Sequence, residues 1–421
     1  MRSQSFFYAL ASIGALLLAS PTVARTFFVA DTGDGSDGLT WETAFQQIND
    51  AVVVAVTDDE IRVKEALYRE NVILATPVVL VGGFVGNETA NGGISKTIQR
   101  CSVINPLSAG YVVEIRSDSS IRGFVISGSF GLGGEGIAIV NATAELVKCT
   151  SSFNNGRGVG CLNSVVTIRG CTITNNINEF EGGGIICLDS KVTFVDCIVA
   201  NNIAVSTGLP VPQPGMGGGL SVIESPVTLI NCLFYGNEAG LGSDIHSYGT
   251  GAIVNCLNCI FASTESPSFR GIFSGSEVGH FLNCVVWGHP TSFVGTPDWK
   301  VDYSVFRGGF SGEGNIDADP LFVDPDNGNF RLQAGSPCID SASTTGPTTD
   351  LDGNARPLDV PGVGRDGTGD EFDMGAYEFV PTPAPTLLNE RSDINQSGKV
   401  DAKDVLILLA DWKKVTDAVT N

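Results

Sequence analysis

The sequence predicts an all-β fold, a right-handed parallel β-helix in which short strands stack into a solenoid. Three observations carry this. A phrase ending in cysteine recurs between residues 144 and 287, at Cys149, Cys171, Cys197, Cys232, Cys259 and Cys284, with spacings of 22, 26, 35, 27 and 25 residues. Asn154, Asn176, Asn202 and Asn237 stand five positions after the first four anchors, and Asn141, Asn163, Asp189 and Glu224 stand eight before them. Matched offsets on both sides mark one structural unit repeated. Between anchors lie β-branched runs such as Val166-Thr-Ile168, broken by Gly and Asn, with strand alternation and no helical period.

A coil of about 22 residues holds three short strands and three turns, with equivalent residues stacked roughly 4.8 Å apart. Valine, isoleucine and cysteine then form interior ladders. Asparagine at a fixed turn bonds to the coils above and below and takes up left-handed backbone. A leucine-rich horseshoe needs repeated leucines and intervening helices, which these repeats lack.

Composition agrees. The 421 residues include 52 glycines and are 43% hydrophobic and 17% charged, which suits a large core wrapped in many turns. A formal net charge of −22 argues against nucleic acid and anionic membranes as partners. An acidic polysaccharide would need a local basic patch or bridging metal ions, and Lys plus Arg total only 24. Most of the eleven cysteines fall at the anchor, where cysteine serves as a small buried hydrophobe. Side chains in a ladder point in parallel, which suits disulfide geometry poorly, so free buried thiols are expected.

Taken in order, Arg2 precedes an apolar stretch over residues 6–18, followed by small residues suited to cleavage after Ala24. This reads as a secretory signal, residues 1–24, and no later segment is apolar enough to span a bilayer. Residues 25–90 form a cap and the first coils. Phe27-Phe-Val-Ala30 is a strand and residues 31–38 a polar glycine loop. Residues 40–51 are expected to form an amphipathic helix capped by Thr40, with Trp41, Phe45 and Ile48 on its apolar side. Laid across the first coil, it would shield the open end from water. Coils follow over 91–320, a closing segment over 321–380, a proline linker over 381–389 and a small module over 390–421.

Gly38-Leu-Thr-Trp-Glu-Thr-Ala-Phe45, Asp59-Glu-Ile-Arg-Val63, Tyr68 and Gly82-Gly-Phe-Val-Gly86 resemble the opening of exported bacterial β-helix proteins of the pectate-lyase-like superfamily. Lys64-Glu-Ala-Leu67 departs from the small-Gly-Thr run usual there. Asp319-Pro-Leu-Phe322, Phe330-Arg-Leu-Gln-Ala-Gly-Ser-Pro337, Asp350-Leu-Asp-Gly-Asn-Ala-Arg-Pro357 and Asp373-Met-Gly-Ala-Tyr-Glu378 resemble the closing segment of surface β-helix proteins of the choice-of-anchor type. The resemblance implies the architecture. It leaves the chemistry open among lyases, hydrolases, esterases and adhesins.

Insertions after the Asn turns, at residues 178–181 and 207–215, emerge on one edge and are expected to wall a groove. Glu179, Phe180 and Glu181 there offer an aromatic face for sugar C–H groups and carboxylates for hydroxyls. Asp189 and Glu224 share a ladder position on adjacent coils, with Asp196 nearby. Stacked carboxylates raise one pKa unless a cation joins them. The superfamily resemblance implies Ca²⁺ held by such acids beside a basic residue, with Lys191 and Arg169 nearest. A glycosidase would instead use two carboxyls, one as proton donor and one as base. His289 falls where earlier coils have Asn and reads as a turn residue. His246 and His280 have no evident partners in the sequence.

The sharpest chemical motif lies in the last module. Asp393, Asn395, Ser397, Asp401 and Asp404 place oxygens at loop positions 1, 3, 5, 9 and 12. Gly398 sits at 6, and Lys399 at 7 donates its backbone carbonyl. That is the spacing of a Ca²⁺ loop. Asp at position 12 followed by an apolar helix resembles a dockerin repeat, which implies a cohesin-like scaffold module as partner; dockerins normally carry two repeats, and one is present here. The sequence therefore supports a secreted or cell-surface protein that binds or processes extracellular polysaccharide, tethered through its calcium module. A non-catalytic surface or adhesion β-helix is the alternative.

Overall fold

The computed structural model describes residues 23–381, except 87, 89–101, 132, 206–213, 264–269, 275–278, 290, 295–298 and 366–371. The apolar part of the signal and the whole calcium loop lie outside the described residues.

Each coil contributes one strand to each of three parallel sheets, of 11, 10 and 9 strands. The first sheet contains Val165–Arg169, Lys191–Val195 and Pro226–Ile230. The second contains Thr172–Thr174, Ile198–Ala200 and Leu233–Tyr235. The third contains Val159–Leu162, Ile185–Leu188, Leu220–Ile223 and Ile245–Tyr248. Register holds from coil to coil: Val166 pairs with Val192 and Val192 with Val227. The anchor cysteines lie one above the next, with Ile198 N–H bonded to Cys171 O and Leu233 N–H to Cys197 O, both at 2.9 Å. All ten described cysteines are free and buried.

Three corners turn each coil, and each turns on a left-handed residue. Asn163, Asp189 and Glu224 serve one corner, Asp196, Asn231 and Asn258 the next, and Phe153, Asn175 and Asn201 the third, with φ between 46° and 56°. The asparagine ladder therefore divides its work differently from the expectation. Left-handed backbone belongs to the residue before each ladder asparagine, and Asn176 and Asn202 turn inward with no exposed surface. Asn154 Nδ2 donates to Asn176 Oδ1 (2.9 Å), Asn176 Nδ2 to Asn202 Oδ1 (2.9 Å) and Asn202 Nδ2 to Asn237 Oδ1 (3.1 Å). A second set of bonds ties each amide to a strand carbonyl, as Asn202 Nδ2 to Ile173 O at 2.9 Å. The side-chain amides of Asn154, Asn176, Asn202 and Asn237 are thus all answered. Gly158, Gly184 and Gly219 stand opposite because a Cβ there would strike the ladder amides. Higher up, Asp244 replaces the glycine: Asn237 Nδ2 donates to its Oδ1 (3.0 Å), and its Oδ2 lies 2.9 Å from Nε2 of His289, which occupies the asparagine position.

The capping helix is shorter than expected, Ile48–Val54. Residues 40–43 form bends instead, and Phe45 bridges to the edge of the first sheet, where Ala30 N–H bonds to Phe45 O and Phe45 N–H to Phe28 O, both at 2.9 Å. The helix N-terminus is capped from afar: Ile48 and Asn49 amides donate to the two carboxylate oxygens of Glu70, at 2.8 and 3.0 Å. Ile48 and Ala51 join the interior with Val29, Ile61 and Leu74, so the helix does close that end. After the last coil, residues 321–365 and 372–379 fold back over the outer face of the second sheet. Leu233, Ile260, Val285 and Val305 are buried there against Phe330, Ile339, Met374 and Tyr377.

Candidate functional site on the third sheet

Strand alternation gives the third sheet two faces. Cys161, Cys187 and Val222 enter the interior, while Gly160, Ile186, Ser221 and His246 form one outward row in register. Tyr248 stands in the neighbouring outward row with Leu162, Leu188 and Ile223. Along the edge of this face strand Ile177–Glu179, which enters the first insertion, pairs with Ile203–Val205, and most of the second insertion, 207–215, lies outside the described residues.

The three residues expected at that edge separate. Glu179 is exposed, and Phe180 is half-buried with φ 76°, a left-handed conformation that a bulky residue rarely accepts. Glu181 folds down over the sheet and is 6% exposed. Ser221 Oγ donates to its Oε1 at 2.7 Å, Tyr248 OH to its Oε2 at 3.4 Å, and His246 Nδ1 lies 3.7 Å from Oε1. On the coils before it, Arg157 Nη1 donates to Glu135 Oε1 (2.8 Å) while its Nε donates to the Glu181 carbonyl (3.0 Å). Gly160 leaves room for the Glu135 carboxylate, which a Cβ there would displace. A hollow of about 220 Å³ opens beside this pair, bordered by Tyr111, Glu135, Arg157, Leu162 and Leu188.

Electrostatics divides the two acids. Burial raises Glu181, but the nearby His246, the hydrogen bond from Ser221 and the charge of Arg157 outweigh it, leaving the carboxyl below its usual value. Burial also raises Glu135, and there the Arg157 charge and hydrogen bond only partly oppose it, so it stays above its usual value. Opposed shifts on two carboxyls, one bonded to Arg157 and the other within reach of its charge, are the pattern of an acid and a base. Tyr248 is raised by burial, then by the charge and hydrogen bond of Glu181 and by the charge of Glu224.

Asp189 and Glu224 are exposed corner residues on adjacent coils of the same face, with φ 48° each. Lys191 and Arg169 are exposed on strands of the first sheet. His246 gains Glu181, and His280 Nε2 lies 3.3 Å from Asp302 Oδ2. Sequence reasoning missed Glu135, Arg157, Ser221 and Tyr248. A signal existed, because Glu135 and Arg157 both stand fourteen positions before an anchor cysteine. Among the described residues no group of three His, Cys, Asp or Glu side chains is placed to hold a metal ion, and no helix there is long and apolar enough to cross a membrane.

Residues 88–261 match the family model of the right handed beta helix region. No curated protein matches the chain. Among solved structures, pectate lyase Pel9A is similar at 13% identity, covering 85% of this chain and 97% of its own, with a TM-score of 0.47. A rhamnogalacturonan lyase is 10% identical over 82% of this chain and 97% of its own (TM-score 0.44), and the pectin methylesterase from Aspergillus niger 12% identical over 72% and 88% (TM-score 0.38). The chain is a right-handed parallel β-helix, and its fold rests on the ladders of its own coils.

Proposed function

We propose that this is a secreted protein that binds extracellular polysaccharide across the outer face of its third sheet and hydrolyses it there. One observation carries the reading: Arg157 holds the Glu135 carboxylate and the Glu181 backbone carbonyl, and the two carboxyls are driven in opposite directions. Glu135, whose carboxyl burial raises above its usual value, gives its proton to the glycosidic oxygen. Glu181, ionised, faces the positive charge that develops on the sugar ring or takes a proton from the attacking water. Arg157 fixes the spacing of the two, and Tyr111 and Tyr248 offer ring surface to the sugar. Asp189, Glu224 and Glu179 line the open side and receive hydroxyls. Asp393, Asn395, Ser397, Lys399, Asp401 and Asp404 bind one Ca²⁺, whose module tethers the protein to a cohesin-like scaffold.

The test is a panel of neutral and acidic polysaccharides, with calcium or chelator. New reducing ends that disappear, by about a hundredfold or more, in Glu181→Gln and Glu135→Gln support hydrolysis. Unsaturated ends absorbing in the ultraviolet would sink it in favour of a lyase. A second reading also has an observation behind it: Glu181, Ser221 and His246 are each at least 94% buried, as members of a structural brace would be. Glycan binding without any product would favour that reading, a non-catalytic surface β-helix.

A further inference from the structure

The closing segment does not seal the second sheet completely. Where the last coils meet it, a cleft of about 600 Å³ remains, with Trp287 and Arg307 on one side, Asp319, Asp326 and Gln333 on the other, and Phe330 among its apolar lining. This is a different face from that of Glu181, and the inference does not depend on the reading of the third sheet.

The polar groups of the cleft keep unused capacity. Arg307 is exposed and makes no ion pair among the described residues, whereas the similarly exposed Arg116, Arg122 and Arg331 are each paired with a carboxylate. Asp319 spends one oxygen on the Leu321 amide (2.9 Å), and the other has no partner among the described residues. Gln333 spends its Nε2 on the Phe322 carbonyl (2.8 Å), which fixes the side chain and leaves its Oε1 to accept. Leu321, between them, is held at φ 51°, a conformation unfavourable for leucine. A half-buried indole, a guanidinium, a carboxylate and an oriented amide oxygen thus converge on one concave space. A sugar ring has the matching chemistry: C–H groups for the aromatic surface and vicinal hydroxyls for bidentate donors and acceptors. The charge count selects among sugars. Two aspartates against one arginine leave the cleft anionic, in a chain already at −22, so uronates, sulfates and phosphates are repelled.

We propose that this cleft is a second glycan site, taking a neutral pyranose unit of an oligosaccharide stacked on Trp287 and held by Arg307, Asp319 and Gln333. Bound there, a chain would be anchored to the solenoid independently of the third sheet. The test is titration calorimetry of the protein over residues 25–421 with neutral tetrasaccharides of glucose, mannose, xylose and galactose, beside tri-galacturonate. At least one neutral tetrasaccharide is expected to bind, weakened about tenfold or more by Trp287→Ala and by Arg307→Ala, and unchanged by Glu181→Gln. Arg307→Ala and Gln333→Ala alter exposed side chains only, so they report binding even if Trp287→Ala fails to fold. Absence of neutral binding, tighter binding of tri-galacturonate, or binding indifferent to Arg307→Ala and Gln333→Ala would each overturn the assignment. Loss of binding in Glu181→Gln alone would move the ligand to the third sheet.

Discussion

The second and third sheets are made by the same coils, yet their outer faces are finished in opposite ways. The second is largely covered by residues 321–365 and 372–379, which bury Leu233, Ile260 and Val285. The third keeps a hollow beside Glu135 and Arg157, with Glu181, Ser221 and His246 buried further along the same face. Both regions hold buried carboxylates, and what binds them differs. In the closing segment the partners are mostly backbone amides. Asp373 accepts from Asp340 and Phe379, Glu378 from Leu358 and Asp373, and Asp350 from Asn354 and Glu378. On the third sheet they are the side chains of Arg157, Ser221, His246 and Tyr248. An amide belongs to the fold and cannot leave without unfolding it. A hydroxyl or guanidinium can rotate to meet a ligand. The motif residues of the closing segment therefore specify architecture, and the chemistry we propose rests on residues outside any recognisable motif.

The comparison breaks first at Arg356. Its side chain has no exposed surface, and its Nε lies 2.7 Å from Glu378 Oε1. Arg356→Ala leaves Glu378, Asp373 and Asp350 without their cation and is expected to cost about 3–5 kcal/mol, with early proteolysis within residues 340–379. Urea unfolding read beside limited proteolysis checks both. Asn202→Ala comes next. It strands the Asn176 amide donors and the Ile173 carbonyl inside the solenoid, for about 3 kcal/mol. Glu181→Gln, by contrast, keeps a hydrogen-bonding group of the same size and is expected to cost no more than about 1 kcal/mol. If Arg356→Ala and Glu181→Gln prove equally destabilising, the division between architecture and chemistry fails.

Much of this architecture was legible because repetition multiplies a weak signal. One Val-Thr-Ile run means little, but six cysteines at matched offsets fixed coil length, register and the free thiols. The ladder asparagines were legible too, although their inward turn was not: a fixed offset from the anchor gives the coil position and not which of two adjacent residues takes the positive φ. Trp41 and Phe45 misled because their helical spacing also fits a chain pinned along a sheet edge, where pairing with Phe28 and Ala30 prevailed. The site was the least legible part. Glu181 stood out beside an insertion, whereas Glu135, Arg157 and Tyr248 are single polar residues in glycine-rich or apolar stretches. Only stacking brings them together, from coils up to 113 residues apart in sequence between Glu135 and Tyr248.

The smallest effect separates the two faces by pH. Burial, then the charges of Glu378 and Asp340, push Asp373 up to about 7 from 3.8, against the hydrogen bonds from Asp340 and Phe379. Its folded-state value lies above the unfolded one, so folding favours proton uptake. The stability this contributes is complete below 3.8 and is lost as pH rises through about 7. Glu378, raised first by burial, acts in the same sense and shares the titration. Glu181 runs the other way: its value is lowered, so its contribution is present above 4.5 and lost only in stronger acid. Moving from about pH 7 to about pH 6 should therefore tighten the closing segment by on the order of 1 kcal/mol and leave the Glu181 contribution unchanged. Hydrogen exchange, corrected for the intrinsic pH dependence, reads this at the amides of Phe379 and Leu351 against that of Leu220. Asp373→Asn should flatten the difference. Closing-segment protection that falls on acidification would mean that the cluster is held ionised, with Arg356 outweighing burial.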